Sequence, residues 1–431
     1  MGCMVPQVLK GFRDYLPEVM IPRQRMLRTI ADVFESFGYL PLETPALEYA
    51  ELLTGKYGEE GEGLLYRFRD HGGREVALRY DLTVPLARVI GSHPEIALPF
   101  KRYQIGPVWR AEKPGRGRFR EFVQCDVDIL GSSSMLADCE CLLVDAAVLR
   151  ALGVERFRIR VNNRKLLNGL LAHYGVVRTE AIHQTLRQVD KLEKVGRAAV
   201  ADLLVAEAGW ERPAAEELLG LLAQGSLDFP FTNPSLDAGR AELQRLLELA
   251  AAAGITSCVE LDPTIARGLD YYTGTVFETV LLDLPGFGSV MSGGRYDELV
   301  GLFRSQPLAA VGISLGVDRL LSGLLELGLL PLGRATARVL LAVFGPETAA
   351  DSVAAAQQLR AAGISTEVHP SDGGKLGKQY KHADSRGIPV VALIGPDEAA
   401  AGRVRLKRLA TGEEITVARA ELAARVAQWL G

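Results

Sequence analysis

The sequence predicts an α+β chain in two folded parts: a larger antiparallel-sheet part interrupted by a block of helices, and a small C-terminal α/β part. Three observations predict it. Residues 101–110 and 118–129 alternate polar and apolar side chains on either side of a Pro/Gly/Arg-rich loop, the period-2 pattern of a long antiparallel hairpin. Residues 166–254 are rich in Ala, Leu and Glu, which favour helix. Beyond residue 331, short apolar runs alternate with helical segments, an order that builds a largely parallel sheet. A chain of 431 residues is too long for one compact core, and the expected division is 1–330, with 166–254 inserted, and 331–431.

Taken in order, a first helix is expected over 22–37, where Met26, Leu27, Ile30, Val33, Phe34 and Phe37 recur at helical spacing until Gly38. Pro41 and Pro45 then forbid a central strand and favour an edge or interface segment. Arg79, Asp81 and Thr83 alternate with Tyr80 and Leu82, which reads as a strand. In the hairpin, Tyr103, Ile105 and Trp109 oppose Arg102, Gln104 and Arg110. On its second arm Phe119, Val123, Cys125, Val127 and Ile129 oppose Arg118, Arg120, Gln124, Asp126 and Asp128. One packed face and one polar face are expected. The inserted helices break near 209–213 and 229–234. A strand over 273–282 follows, then a glycine-rich run at 286–294, where close backbone approach is expected to extend to Gly312 and Gly316. A helix begins at Gly316 and places Arg319 on the flank of an otherwise apolar stripe. The C-terminal part reads strand 339–344, helix 349–362, strand 365–369, helix 376–385, strand 390–394, a hairpin around 410–412 and a last helix to Trp429.

Hydrophobic residues make up 48% and charged residues 24%, a globular balance with no apolar run long enough to span a bilayer. The N-terminus lacks a signal-peptide pattern. The expectation is a cytoplasmic protein with no membrane partner. The five cysteines form no paired CxxC array, and no tightly bound metal or organic cofactor is expected. None of the six histidines lies in an HExxH or a Ser/His/Asp order, which excludes the common metal-hydrolase and serine-hydrolase patterns. The net charge of −4 excludes a general polyanion binder, yet residues 101–120 carry seven Lys or Arg against Glu112 alone.

That basic segment carries the chemistry. Arg110, Arg118 and Arg120 share a strand face with Gln124, Asp126 and Asp128; guanidinium forks match phosphate oxygens, and carboxylates match an ammonium group. One sheet face can therefore hold a triphosphate beside an amino acid, under a basic loop at 111–117. Two further constellations are 267–273, Arg-Gly-Leu-Asp-Tyr-Tyr-Thr, and 293–297, Gly-Gly-Arg-Tyr-Asp, the latter followed by the helix that carries Arg319.

Together these stretches resemble the signature set of class II aminoacyl-tRNA synthetases, and within them the histidyl-tRNA synthetase family. Residues 38–45 resemble the first class motif, which in that family builds the dimer interface. Val-Trp-Arg-Ala-Glu at 108–112 with Gly-Arg-Phe-Arg-Glu-Phe at 117–122 resembles the second, and Gly-Val-Asp-Arg-Leu at 316–320 the third. The stretches 267–272 and 293–297 are similar to ones diagnostic of the histidine enzymes, and the match runs in order from about residue 11 to the C-terminus.

The resemblance implies a six-stranded antiparallel catalytic sheet with a helical insertion, plus a C-terminal α/β anticodon-binding domain. It implies ligation of L-histidine to tRNA(His) through a histidyl-adenylate, with ATP and Mg²⁺ entering as the substrate complex, by a homodimer. Carried over residue by residue, Asp81, Thr83, Arg110, Gln124, Asp128, Arg267, Tyr271 and Tyr272 fall on histidine-binding positions. Arg110, Glu112, Arg118, Phe122 and Arg319 fall on ATP positions, and Arg110 and Arg267 are the catalytic pair. Many members carry Arg-Pro-Glu where this chain has Arg79-Tyr-Asp, so Asp81 must act through a shorter side chain. The alternative is a catalytically inactive synthetase-like regulatory subunit of histidine biosynthesis; such relatives generally lack the C-terminal domain and lose the catalytic arginines. The basic residues Lys375, Lys378, Lys381, Arg403, Arg405, Lys407 and Arg408 are candidate tRNA backbone contacts.

Overall fold

The computed structural model describes residues 5–55, 61–115, 117–266, 271–304 and 306–431. They fall into two compact units: residues 5–13 with 27–330, and residues 14–26 with 331–431.

The larger unit is built on an eight-stranded sheet. In chain order its strands are β1 (Leu40–Pro41), β5 (Phe100–Trp109), β6 (Glu121–Leu130), β7 (Phe157–Asn163), β8 (Val259–Leu261), β9 (Thr275–Leu281), β10 (Met291–Arg295) and β11 (Ala310–Gly316). A separate small sheet holds β2 (Leu47–Tyr49), β3 (Arg67–Arg69) and β4 (Glu75–Leu78). The spatial order of the large sheet is β1-β5-β6-β11-β10-β9-β7-β8. Its six central strands are antiparallel throughout. A short parallel strand closes each edge, β1 on β5 and β8 on β7. The expected six-stranded sheet is thus present, extended by two short edge strands of two and three residues. The prolines at 41 and 45 account for the brevity of β1, since Pro has no N–H to donate to a ladder.

The hairpin of β5 and β6 is the longest pairing, in register from Phe100 opposite Leu130 to Trp109 opposite Glu121. Residues 79–82 are not a strand. They form a loop, and Thr83–Ser92 is a helix whose first N–H groups, at Thr83 and Val84, donate to the Asp81 carboxylate at 3.2 and 3.0 Å. The short polar side chain that read as strand alternation caps a helix instead.

The helix Met135–Ala151 packs on β6, β10 and β11, and Pro234–Ala252 packs on β7 and β9. Pro234–Ala252 also crosses Arg164–His173 at very close range. A Cβ on Gly169 would lie 2.4 Å from the Leu236 nitrogen, and one on Gly239 would lie 2.4 Å from the Leu166 nitrogen, so only glycine fits at either position. Between these two helices run Thr179–Val189, Leu192–Ala208 and Arg212–Ala223. The first helix begins at Pro17, five residues before the expected start, and ends at Ser36.

The smaller unit has the sheet order β13-β12-β14-β15-β16, with β12 (Val339–Val343), β13 (Thr366–Val368), β14 (Val390–Ile394), β15 (Arg403–Arg408) and β16 (Glu414–Ala418). The first three are parallel and the last two form an antiparallel hairpin on β14. Both faces are covered. Val339 and Leu341 pack with Leu359, Val426 and Trp429, while Leu340 and Ala342 pack with Ala383 and Leu393. Continuous apolar strands result, as two-sided burial requires.

Asp138 and Arg295 form a salt bridge beneath the large sheet at 0% and 3% side-chain exposure, joined by the Thr275 hydroxyl. Burial pushes the Asp138 carboxyl up, and Arg295 opposes that shift. Removing one member leaves a buried, uncompensated charge, so Arg295→Ala should lower unfolding stability by about 3–5 kcal/mol. Urea denaturation followed by fluorescence checks this; a midpoint unchanged from the wild type would contradict it.

Candidate active site

The hairpin's polar face is not solvated. Arg102, Gln104, Gln124, Asp126 and Asp128 are each 6% exposed or less. The face read as polar is covered by the loop at 79–82, by Tyr271 and Tyr272, and by Tyr296, and it becomes the floor of a cavity. Polar side chains survive such burial only when they are paired or hydrogen-bonded.

Asp128 shows how. Arg102 on the neighbouring strand places Nη2 2.7 Å from its Oδ2, and the Tyr296 hydroxyl donates to its Oδ1. Burial pushes the Asp128 carboxyl up, while Arg102 and then Tyr296 pull it back. Burial, with Asp128 adding to it, holds the Tyr296 hydroxyl well above its ordinary range, so it remains a donor. Space for Asp128 comes from Gly312 on β11, where a Cβ would lie 2.1 Å from Oδ1. Gly293 is equally constrained, its Cβ position lying 2.1 Å from the Gly312 carbonyl oxygen. The expected close approach thus holds at Gly312. Gly316 differs: a Cβ there meets nothing nearer than 3.9 Å.

Two adjoining cavities, of about 340 and 240 Å³, share Arg110, Arg118, Gln124, Ser289, Ser292, Ser314 and Arg319. The larger is lined by Asp81, Thr83, Asp126, Asp128, Tyr271 and Tyr272. Tyr271 meets Tyr272 and Tyr296 edge-on at 5.2 and 5.9 Å between ring centres. The smaller is lined by Glu112, Arg118, Phe122 and Asp318. Of the twelve site residues expected from the sequence, these cavities bring together eleven; Arg267 lies outside the described residues.

Arg110 sits at the junction. Its guanidinium lies 4.2 Å from the Tyr80 ring centre and 5.1 Å from that of Phe122. Its Nε donates to the Tyr80 carbonyl at 3.1 Å and Nη2 to the Gln124 amide oxygen at 3.4 Å. Glu112 stands between two arginines, 3.9 Å from Arg110 and 3.6 Å from Arg118. Arg319 donates to the Ser289 carbonyl at 2.8 Å. Asp318 accepts from the Val123 N–H at 2.8 Å and pairs with Arg13 at 3.0 Å, which ties the start of the helix Val317–Glu326 to β6. Arg120, grouped with the phosphate-matching arginines by sequence, turns away. It donates to the carbonyls of Glu112 and Lys10 and lines neither cavity.

Sequence reasoning assigned no site role to Tyr296 or Ser314. Tyr296 lay in a quoted motif and Asp126 on the quoted face, but nothing in the pattern said that either would be enclosed. The arrangement suits two ligand parts of opposite character. Arg110, Arg118 and Arg319 line the seam common to both cavities, as an anionic chain requires, and Asp81, Asp126, Asp128 and the tyrosines line the larger alone, as an amine and a ring N–H require.

A family model described as histidyl-tRNA synthetase matches residues 11–320, and one described as anticodon binding domain matches residues 338–429. The chain is 46% identical to the histidine–tRNA ligase of Rhodopirellula baltica over 96% of this chain and 95% of that one. The chain belongs to the histidyl-tRNA synthetase family. It is also 45% identical to the histidine–tRNA ligase of Wolinella succinogenes, over 98% of each. The histidyl-tRNA synthetase structure from Nostoc sp. superposes with a TM-score of 0.86 at 33% identity, covering 99% of this chain and 100% of that one. The family's catalytic-domain match spans the whole eight-stranded sheet, and the second match spans the five-stranded one.

Removing the Tyr296 hydroxyl takes away one of the two groups that favour ionised Asp128. Tyr296→Phe should therefore raise the Asp128 titration midpoint by about one pH unit, the equivalent of one hydrogen bond to a charged group. Carboxyl carbon shifts of selectively labelled aspartate report this; an unmoved or lowered midpoint would contradict the geometry.

Proposed function

We propose that the chain ligates L-histidine to tRNA(His) in two steps, with ATP and Mg²⁺ entering together as substrate. Histidine lies in the larger cavity, its ring toward Asp128 and Tyr271 and its carboxylate at the junction. The phosphates of ATP lie along Arg110, Arg118 and Arg319, with the adenine against Phe122 and the γ-phosphate at Arg319. The carboxylate attacks the α-phosphate, and pyrophosphate leaves. Such displacement requires alignment and charge neutralisation more than a protein base. Arg110 neutralises charge on one side of the α-phosphate and Arg267 on the other. The terminal ribose hydroxyl of tRNA then displaces AMP from the adenylate.

The observation that carries this reading is the junction. Three guanidiniums, those of Arg110, Arg118 and Arg319, border both cavities, while the carboxylates of Asp81, Asp126 and Asp128 border only the larger, so a phosphate chain and an amino acid bound there meet along the arginines. Buried acceptors for the imidazole also explain how histidine is chosen without an editing site, since a ligand lacking the ring N–H leaves Asp128 unpaired. What supports a ligase over the regulatory alternative is the presence of Arg110 and Arg319 at the cavities together with a C-terminal anticodon-binding domain. Lys375, Lys378 and Lys381 are exposed in that unit and suit phosphate contacts. Arg405 and Lys407 are engaged with Glu398 and Glu414.

The same reading makes the protein a cytoplasmic homodimer. Leu40 on the edge strand β1, within the segment that resembles the family's dimer motif, exposes its apolar side chain, as do Leu47, Tyr49 and Phe68 outside it. No helix among the described residues is long and apolar enough to cross a membrane.

Arg267→His should lower the rate of histidyl-adenylate formation at least about 10²-fold, the scale for an aimed electrostatic group, and leave tRNA affinity within twofold. Single-turnover adenylation with filter binding of tRNA separates the two. Wild-type adenylation in the variant would remove Arg267 from the mechanism.

A further inference from the structure

The loop that joins β5 to β6, residues 110–120, walls the smaller cavity with Arg110, Glu112, Arg118 and Phe119. Its arms are joined by the Arg110 N–H, which donates to the Arg120 carbonyl at 2.9 Å, and by the paired backbones of Gly115 and Arg118. Further support comes from far away in sequence, from residues 10–13. The Gly11 carbonyl accepts the Arg120 N–H at 2.8 Å, and the Lys10 carbonyl accepts Arg120 Nη1 at 3.2 Å. These two carbonyls hold the second arm of the loop.

Arg13 completes the strap. Its guanidinium lies 3.8 Å from the centre of the Phe119 ring, and its Nη2 is 3.0 Å from Asp318 Oδ1. The Asp318 side chain is 3% exposed, and its other oxygen accepts the Val123 N–H at 2.8 Å. Phe119 and Asp318 line the smaller cavity and not the larger, whereas Arg13 lines neither. Each has a cavity-lining arginine as its chain neighbour, Arg118 before Phe119 and Arg319 after Asp318. One guanidinium therefore fixes two walls of this cavity, the loop by stacking and the helix Val317–Glu326 by charge.

We infer that Arg13 is a positioning residue for the nucleotide: through Phe119 and Asp318 it sets how Arg118 and Arg319 stand to one another, without touching the ligand. This rests on the placement of ATP proposed above. Because both partners of Arg13 line the smaller cavity alone, its loss is felt by ATP and not by histidine. Lysine replaces it only in part. An ammonium keeps the charge facing Asp318 but lacks the flat guanidinium that lies against Phe119.

The test titrates the full chain with ATP and, separately, with L-histidine in a calorimeter, for wild type, Arg13→Ala and Arg13→Lys. ATP affinity should fall about tenfold in Arg13→Ala and by a smaller factor in Arg13→Lys, with histidine affinity within twofold of wild type in both. The route is read from a double-variant cycle. Adding Arg13→Ala to Asp318→Asn should cost at least about threefold less ATP affinity than Arg13→Ala costs alone, as for two residues that act through one contact. Unchanged ATP affinity in both Arg13 variants, or losses that simply multiply in the cycle, overturn the inference. Should Arg13→Ala lose both ligands, Arg13→Lys decides: a loss confined to ATP supports the inference, and an equal loss for histidine overturns it. Wild-type ATP affinity in Arg118→Ala and Arg319→Ala overturns the placement of ATP, and this inference with it.

Discussion

Everything in the larger unit depends on keeping the polar face of β6 dry. Gln124, Asp126 and Asp128 would lie in water in an ordinary antiparallel sheet, where their carboxylates would be ionised, hydrated and indifferent to ligands. Here they are enclosed, and each must be satisfied from within the fold. Arg102 on β5 and Tyr296 after β10 do this for Asp128. The absence of side chains at Gly293 and Gly312 leaves the space. The glycine-rich strands and the polar hairpin are thus two halves of one device, one supplying charge and the other supplying room for it. Desolvation is costly, and its return is discrimination: a buried acceptor penalises any ligand that fails to meet it.

The same enclosure explains how far the sequence could be read. Strand periodicity made the hairpin legible to within three residues, and the helices of the middle segment followed from propensity and from breaks at Gly209 and Pro234. Alternation misled at 79–83, because a polar residue that caps a helix and a polar residue on a strand face look alike in a short window. Only the two N–H donors at Thr83 and Val84 distinguish them. The buried Arg79, bonded to the carbonyls of Thr44 and Pro107, adds to the illusion, since its charge reads as exposure when it is a tie between segments. Likewise Arg120 shares the strand-face register of Arg118 but not its surroundings.

Identity of the site residues came from motif resemblance; their physical state did not. No pattern in the chain says that Asp126 is enclosed or that Tyr296 holds Asp128, because burial of a strand's second face is decided by segments far away in sequence. Tyr296 is 168 positions from Asp128. Local signals can place a side chain on a face, and only the assembled sheet determines whether that face meets water. The arginine-lined seam common to the two cavities, with the Asp81, Asp126 and Asp128 carboxylates confined to the larger, is a property of the fold.

The central claim is that this floor is matched to histidine. ATP–pyrophosphate exchange, run separately with each of the twenty amino acids, tests it most directly. Exchange supported by histidine, with the other nineteen near background, is the predicted result. Exchange driven by a different amino acid, or none with histidine while ATP still binds, would contradict the account.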